Sequence, residues 1–154
     1  MSDWKRTTKE VSVQSLPSEV LFAINQHIEK HNLGPILSDA LMCVQTESEK
    51  IKKGIFGKAE PVQVTAIVTP RWLVWAMYGI KTTTSVLSAQ LRNVTVQDYA
   101  QTPFMKMVPD SGIEVHGLFT DASESVSAFI GLDEGVPGRK FKEAVIQAAQ
   151  DAKK

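Results

Sequence analysis

A mainly β fold with flanking helices follows from three features of the sequence. Between residues 41 and 132, apolar residues come in short runs, some alternating with polar ones, with Gly and Pro marking turns between them. Near each end of the chain, apolar residues instead recur at helical spacing. At 154 residues and 43% apolar content, the chain is long enough for one domain with a genuine core and too short for two.

Taken in order, residues 1–14 are polar and mixed in charge, and read as a mobile tail. A helix is predicted over 17–31. Pro17 suits the first turn, where its missing N–H is not needed, and Glu19 suits the positive end of the helix dipole. Val20, Leu21, Ile24 and Ile28 form its apolar stripe, and Asn32 with Gly34-Pro35 stops it. Residues 1–34 therefore read as a tail plus amphipathic helix, and 35–154 as one globular unit. Residues 41–53 read as one long, partly exposed strand, and Gly54 and Gly57 mark a turn. Val62, Val64, Ala66 and Val68 mark a half-buried strand, and Thr69-Pro70-Arg71 is a tight connection. Residues 72–78 are apolar at every position and so are expected to be covered on both faces. Further strands are predicted around 82–88, 93–100, 113–119 and 125–132, with a proline-containing loop over 101–112 and a hairpin loop over 120–124. Phe141, Ala144, Val145, Ala148 and Ala152 define a last helix over about 137–152.

Several functions are disfavoured by composition. Seventeen basic residues balance seventeen acidic ones, without the positive excess of a broad nucleic-acid-binding face, so no nucleic acid is expected as partner. The first residues lack the apolar stretch of a secretory signal, and no apolar run approaches the ~18 residues of a membrane span, so the cytoplasm is the expected location. Cys43 stands alone, which removes an intrachain disulfide and a Cys-rich zinc site. The glycines lack the spacing that cradles phosphates, and no cofactor is expected. His27 and His31 have the i,i+4 spacing of a two-ligand metal face, but Ile28 stands where a zinc protease has glutamate, so packing or capping is the reading taken. His116 has no nucleophile in a sharp elbow to serve, and Cys43 sits between Met42 and Val44 as a core residue would; the chain is read as non-enzymatic. Trp72 and Trp75 could form an aromatic platform, but their apolar neighbours favour the core. Arg139, Lys140 and Lys142 open the last helix, where the dipole disfavours cations; a solvated face is preferred to an anion site.

Seven strands followed by one amphipathic helix is the order of pleckstrin-homology-like (PH-like) domains. The run Val64-Thr-Ala-Ile-Val-Thr-Pro-Arg-Trp-Leu-Val-Trp75 resembles the second-to-third strand hairpin of bacterial PH-like domains. Ser85 to Val96 is similar to their fourth and fifth strands, and Ser127-Ala-Phe-Ile-Gly-Leu132 plus the helix to their last strand and cap. The resemblance covers roughly 41–152 and implies a seven-stranded bent antiparallel barrel closed by the C-terminal helix. The helix at 17–31 lies outside that pattern, and Val20, Ile24 and Ile28 are expected to cover the outer face left by Trp72, Val74, Ala76 and Tyr78. By analogy of fold, the implied role is a non-catalytic adaptor for a protein partner, which includes a second copy of the chain. The alternative is weak contact with anionic membrane or lipid headgroups through Lys50, Lys52, Lys53, Phe56 and Lys58, where lysines surround an apolar tip. The following strand, Val62-Gln-Val-Thr-Ala66, lacks the cation of the phosphoinositide-binding pattern.

Overall fold

The structure, a computed structural model, describes residues 4–50, 61–79 and 83–154. Among these residues the chain forms eight strands in two antiparallel sheets and two α-helices. The first sheet holds β1 (Trp4–Val11), β2 (Met42–Lys50), β3 (Val62–Val68), β4 (Trp72–Gly79) and β5 (Ser85–Gln90), in that order. Helix α1 (Ser18–Lys30) lies in the connection between β1 and β2. The second sheet runs β6 (Val94–Asp98), β7 (Gly112–Gly117), β8 (Val126–Gly131), and α2 (Val136–Asp151) follows it.

Strand β4 explains why there are two cores. Leu73 and Trp75 join one cluster with Val44, Val68, Ile113, Val115 and Ile130, into which α2 sends Phe141 and Val145. Val74 and Ala76 point the other way and meet Val20 and Ile24 of α1, together with Cys43 and Ile67. Ile28, Trp72 and Tyr78 pack around that second cluster. The uninterrupted apolar run at 72–78 thus serves two faces, and the stripe of α1 covers the outer one, as its spacing predicts. Burial of Ile24 alone is worth about 1.5–3 kcal/mol relative to exposure.

The expected mobile tail is instead a strand. Residues 4–11 pair with β2 in register from Trp4↔Lys50 to Val11↔Cys43. The strand is mostly polar because one face, with Lys5, Thr7 and Lys9, is exposed, while the other makes polar contacts. Arg6 bonds Asp110 through Nε (2.8 Å) and Nη2 (2.6 Å) and Ser48 Oγ through Nη1 (2.6 Å). Thr8 N–H donates to Asp133 Oδ2 (2.7 Å), and Asp133 N–H donates to Thr8 Oγ1 (2.9 Å).

The expected seven-stranded barrel is also corrected. Among the described residues eight strands are present, and they form two separate sheets rather than a closed one. Side chains take the place of ladder hydrogen bonds between β1 and the second sheet: Asp110 precedes β7 and Asp133 follows β8. Gly131 makes room for this joint, since a Cβ there would lie 2.3 Å from Arg6 Nη1. Predicted and observed boundaries of β3 to β8 and of both helices agree to within a few residues. The end of the strand expected over 41–53, and the turn at Gly54 and Gly57, lie outside the described residues.

Candidate functional site: a groove on the second sheet

The connection from β6 to β7 builds a groove on the second sheet. Asp98 accepts a hydrogen bond from Ala100 N–H and starts a 3-10 turn at Tyr99–Gln101. Thr102 Oγ1 donates to Tyr99 C=O, and Pro103 opens a second short turn, where its lost N–H is harmless. The Tyr99 hydroxyl then donates to Val108 C=O at 2.6 Å, so the returning chain is fastened around a buried ring. That leaves three apolar side chains in water: Phe104 is 55% exposed, Met107 82% and Val108 59%.

Beneath them, Phe129 of β8 meets Tyr99 edge-on at 4.9 Å between centroids. The Arg6 guanidinium lies 5.3 Å from the Phe129 ring and 5.1 Å from that of Trp4. Its bidentate bond to Asp110 fixes the end of the loop, with the two side chains 10% and 9% exposed. The result is a groove of about 440 Å³ lined by Tyr99, Phe104, Val108, Glu114, Ser127 and Phe129. Its floor is apolar and its rim carries carboxylates and a hydroxyl. Asp110 is neutralised by Arg6, whereas Glu114 has no cation partner among the described residues.

Strand β8, which supplies Ser127 and Phe129, is hydrogen-bonded by β7 alone. Its other edge keeps backbone donors and acceptors that no strand takes up among the described residues.

Of the residues singled out in the sequence, His116 reaches the groove through Ser127, and the other described ones lie elsewhere. Lys50 is exposed at the end of β2, opposite Trp4, and Lys52, Lys53, Phe56 and Lys58 lie outside the described residues. His27 of α1 and His31 just after it meet at 4.6 Å between centroids, with their rings tilted by 57°. Among the described residues no group of three His, Cys, Asp or Glu side chains is placed to hold a metal ion. His27 Nε2 lies 2.8 Å from Ser88 Oγ, which in turn donates to Thr120 Oγ1 at 2.7 Å. With the serine proton directed to Thr120, the imidazole donates to Ser88, the reverse of what a general base requires. Burial, then the charges of His31 and Lys30, hold the His27 pKa below its usual value of 6.5.

His116 pairs across the strands with Ser127, Nδ1 to Oγ at 2.6 Å, on an exposed sheet face, without an acid partner among the described residues. Cys43 is buried, and burial pushes its thiol pKa up to about 12, so it is inert at neutral pH. Trp75 is core, packed edge-on against Phe119 at 5.3 Å. In the second turn of α2, past the first turn where the dipole disfavours cations, Lys142 pairs with Asp98 at 2.9 Å and Lys140 with Glu10 at 3.9 Å.

Sequence reasoning missed the groove. Phe104, Met107 and Val108 sit in a loop where periodicity carries no information. Their signal was composition: four apolar residues within five positions, Phe104, Met105, Met107 and Val108, between two prolines.

Comparison with family models, with curated proteins and with solved structures gave no match to the chain.

Proposed function

We propose that the chain is a non-catalytic binding module of PH-like type, and that its partner is an extended peptide segment of another protein. The PH-like reading is supported by element order: β2–β5, then β6–β8, then α2 gives four strands, three strands and a terminal helix. On this reading β1 and α1 are additions to the module.

The observation that carries the functional reading is the groove walled by exposed Phe104 and Val108, beside a strand edge that is unpaired among the described residues. Isolated apolar residues on a surface are ordinary, but a cluster over an apolar floor marks an interaction site. An extended peptide satisfies both features: its backbone pairs with β8, and alternate side chains enter the groove. Charge selects its composition. An apolar side chain fills the floor, and a neighbouring Lys or Arg meets Glu114.

The test is selection from a combinatorial peptide library on the purified protein, followed by fluorescence anisotropy with the peptides recovered. Apolar–basic peptides that lose at least about tenfold in affinity on Phe104→Asp or Glu114→Lys are expected. No enrichment, or binding indifferent to both changes, would refute the reading. Light scattering on the free protein adds one outcome: self-association abolished by Phe104→Asp makes a second copy the occupant and rejects the peptide.

A further inference from the structure

A second concavity shares no residue with the groove. It has a volume of about 620 Å³ and lies where the β3–β4 turn, the end of β5 and the C-terminal end of α2 meet. Arg71, Trp72, Gln90, Arg92 and Asp151 line it.

Its backbone is tied in place from several directions. Thr69 Oγ1 accepts from the N–H groups of both Arg71 and Trp72, which fixes the turn. Arg71 C=O accepts from Leu91 N–H at 2.8 Å, joining that turn to the one bearing Arg92. Lys153 Nζ donates to the carbonyls of Leu91 (3.0 Å), Val94 (2.6 Å) and Ala149 (3.2 Å). One ammonium therefore neutralises the negative end of α2 and bolts it to the Arg92 turn.

On the Gln90–Arg92 side of this cleft the free side-chain groups are donors. Gln90 Oε1 is occupied by Arg92 Nε (3.2 Å) and Asn93 Nδ2 (3.3 Å), which leaves the Gln90 amide N–H and the Arg92 terminal nitrogens available. Neither Arg71 nor Arg92 has an ion-pair partner among the described residues. The one carboxylate, Asp151, has its charge offset at Oδ1 by Gln147 Nε2 (3.0 Å) and Lys154 Nζ (3.2 Å). In a chain with no net charge, this corner holds two unpaired guanidiniums and a half-buried indole.

We propose that this cleft binds a small organic phosphate carrying a planar ring, with the phosphate on Arg71 and Arg92 and the ring against Trp72. Two guanidiniums match the geometry and charge of a phosphate monoester, which brings nearly two negative charges and three acceptor oxygens; a carboxylate brings one charge and two oxygens. Trp72 offers a flat apolar surface for the ring, and the volume suits a ligand of mononucleotide size.

The test is isothermal calorimetry with adenosine monophosphate, uridine monophosphate, glycerol phosphate and adenosine on the intact chain. Amide chemical shifts at Arg71 and Gln90 report the location of binding. Binding of at least one mononucleotide is expected, with weaker binding of glycerol phosphate and none of adenosine. Arg71→Gln and Arg92→Gln, both exposed positions, are each expected to weaken it about tenfold, the effect of losing one charge-assisted hydrogen bond. Absence of mononucleotide binding at millimolar concentration, or unchanged affinity in the double variant, would overturn the proposal. Equal affinity for glycerol phosphate would overturn the part assigned to Trp72.

Discussion

Among single residues, Arg6 and Asp110 have the largest structural effect. They are nearly buried, bonded in bidentate fashion through Nε and Nη2, and connect the first strand to the loop that walls the groove. Removing one member leaves the other charge buried and unpaired, which costs about 3–5 kcal/mol. Asp110→Ala is therefore expected to lower stability by that amount in urea titration; a loss under about 1 kcal/mol would show the pair to be solvated. His27 makes a pH-dependent contribution. Its pKa in the folded chain is below 6.5, so as pH falls through that value the unfolded chain takes up the proton first. Stability is full above pH 6.5 and is lost below it, until the folded imidazole is protonated as well. His27→Gln, which can keep a bond to Ser88, is expected to flatten the urea midpoint across that window; identical slopes in the two proteins would contradict the assignment.

Among the elements, α1 is the clearest case of a sequence signal carried into structure. Its apolar stripe predicted a buried face, and Val20 and Ile24 are fully buried against Ile67, Val74 and Ala76. Ile24→Ala is expected to cost about 2–5 kcal/mol, read as a shift in the thermal midpoint. A shift near zero would mean that the helix is detached in solution. Strand β3 and helix α2 were legible for the same reason, apolar side chains that repeat on one face with the period of the element, whereas β4 was legible as an uninterrupted apolar run and the other strands as short apolar runs between turn residues. Strand β1 was not. Its inward residues Arg6 and Thr8 are polar and are satisfied by Asp110, Asp133, Thr46 and Ser48, up to 125 residues away in sequence, and no local pattern encodes such partners. The groove was hidden by a related cause. Its wall is a loop held by the Tyr99 hydroxyl on Val108, and its floor, Phe129, comes from a strand about 20 residues further on.

At the scale of the whole molecule, two sheets and a terminal helix enclose one core, and α1 builds a second core on the outer face of the first sheet. This arrangement uses the buried surfaces for stability and places the groove on the second sheet beside an edge that no strand takes up among the described residues. The histidines and the cysteine are placed for packing and hydrogen bonding, which is why the functional reading rests on a surface rather than a reactive group. No helix among the described residues is long and apolar enough to cross a membrane.

The central claim, that a peptide adds to the open side of β8, is tested most directly by backbone amide exchange across Val126–Gly131, measured with and without a peptide selected on the protein. The account predicts that amides on the outward edge of β8 become markedly slower to exchange when the peptide is bound. Unchanged rates there, with the peptide bound at saturation, would contradict it.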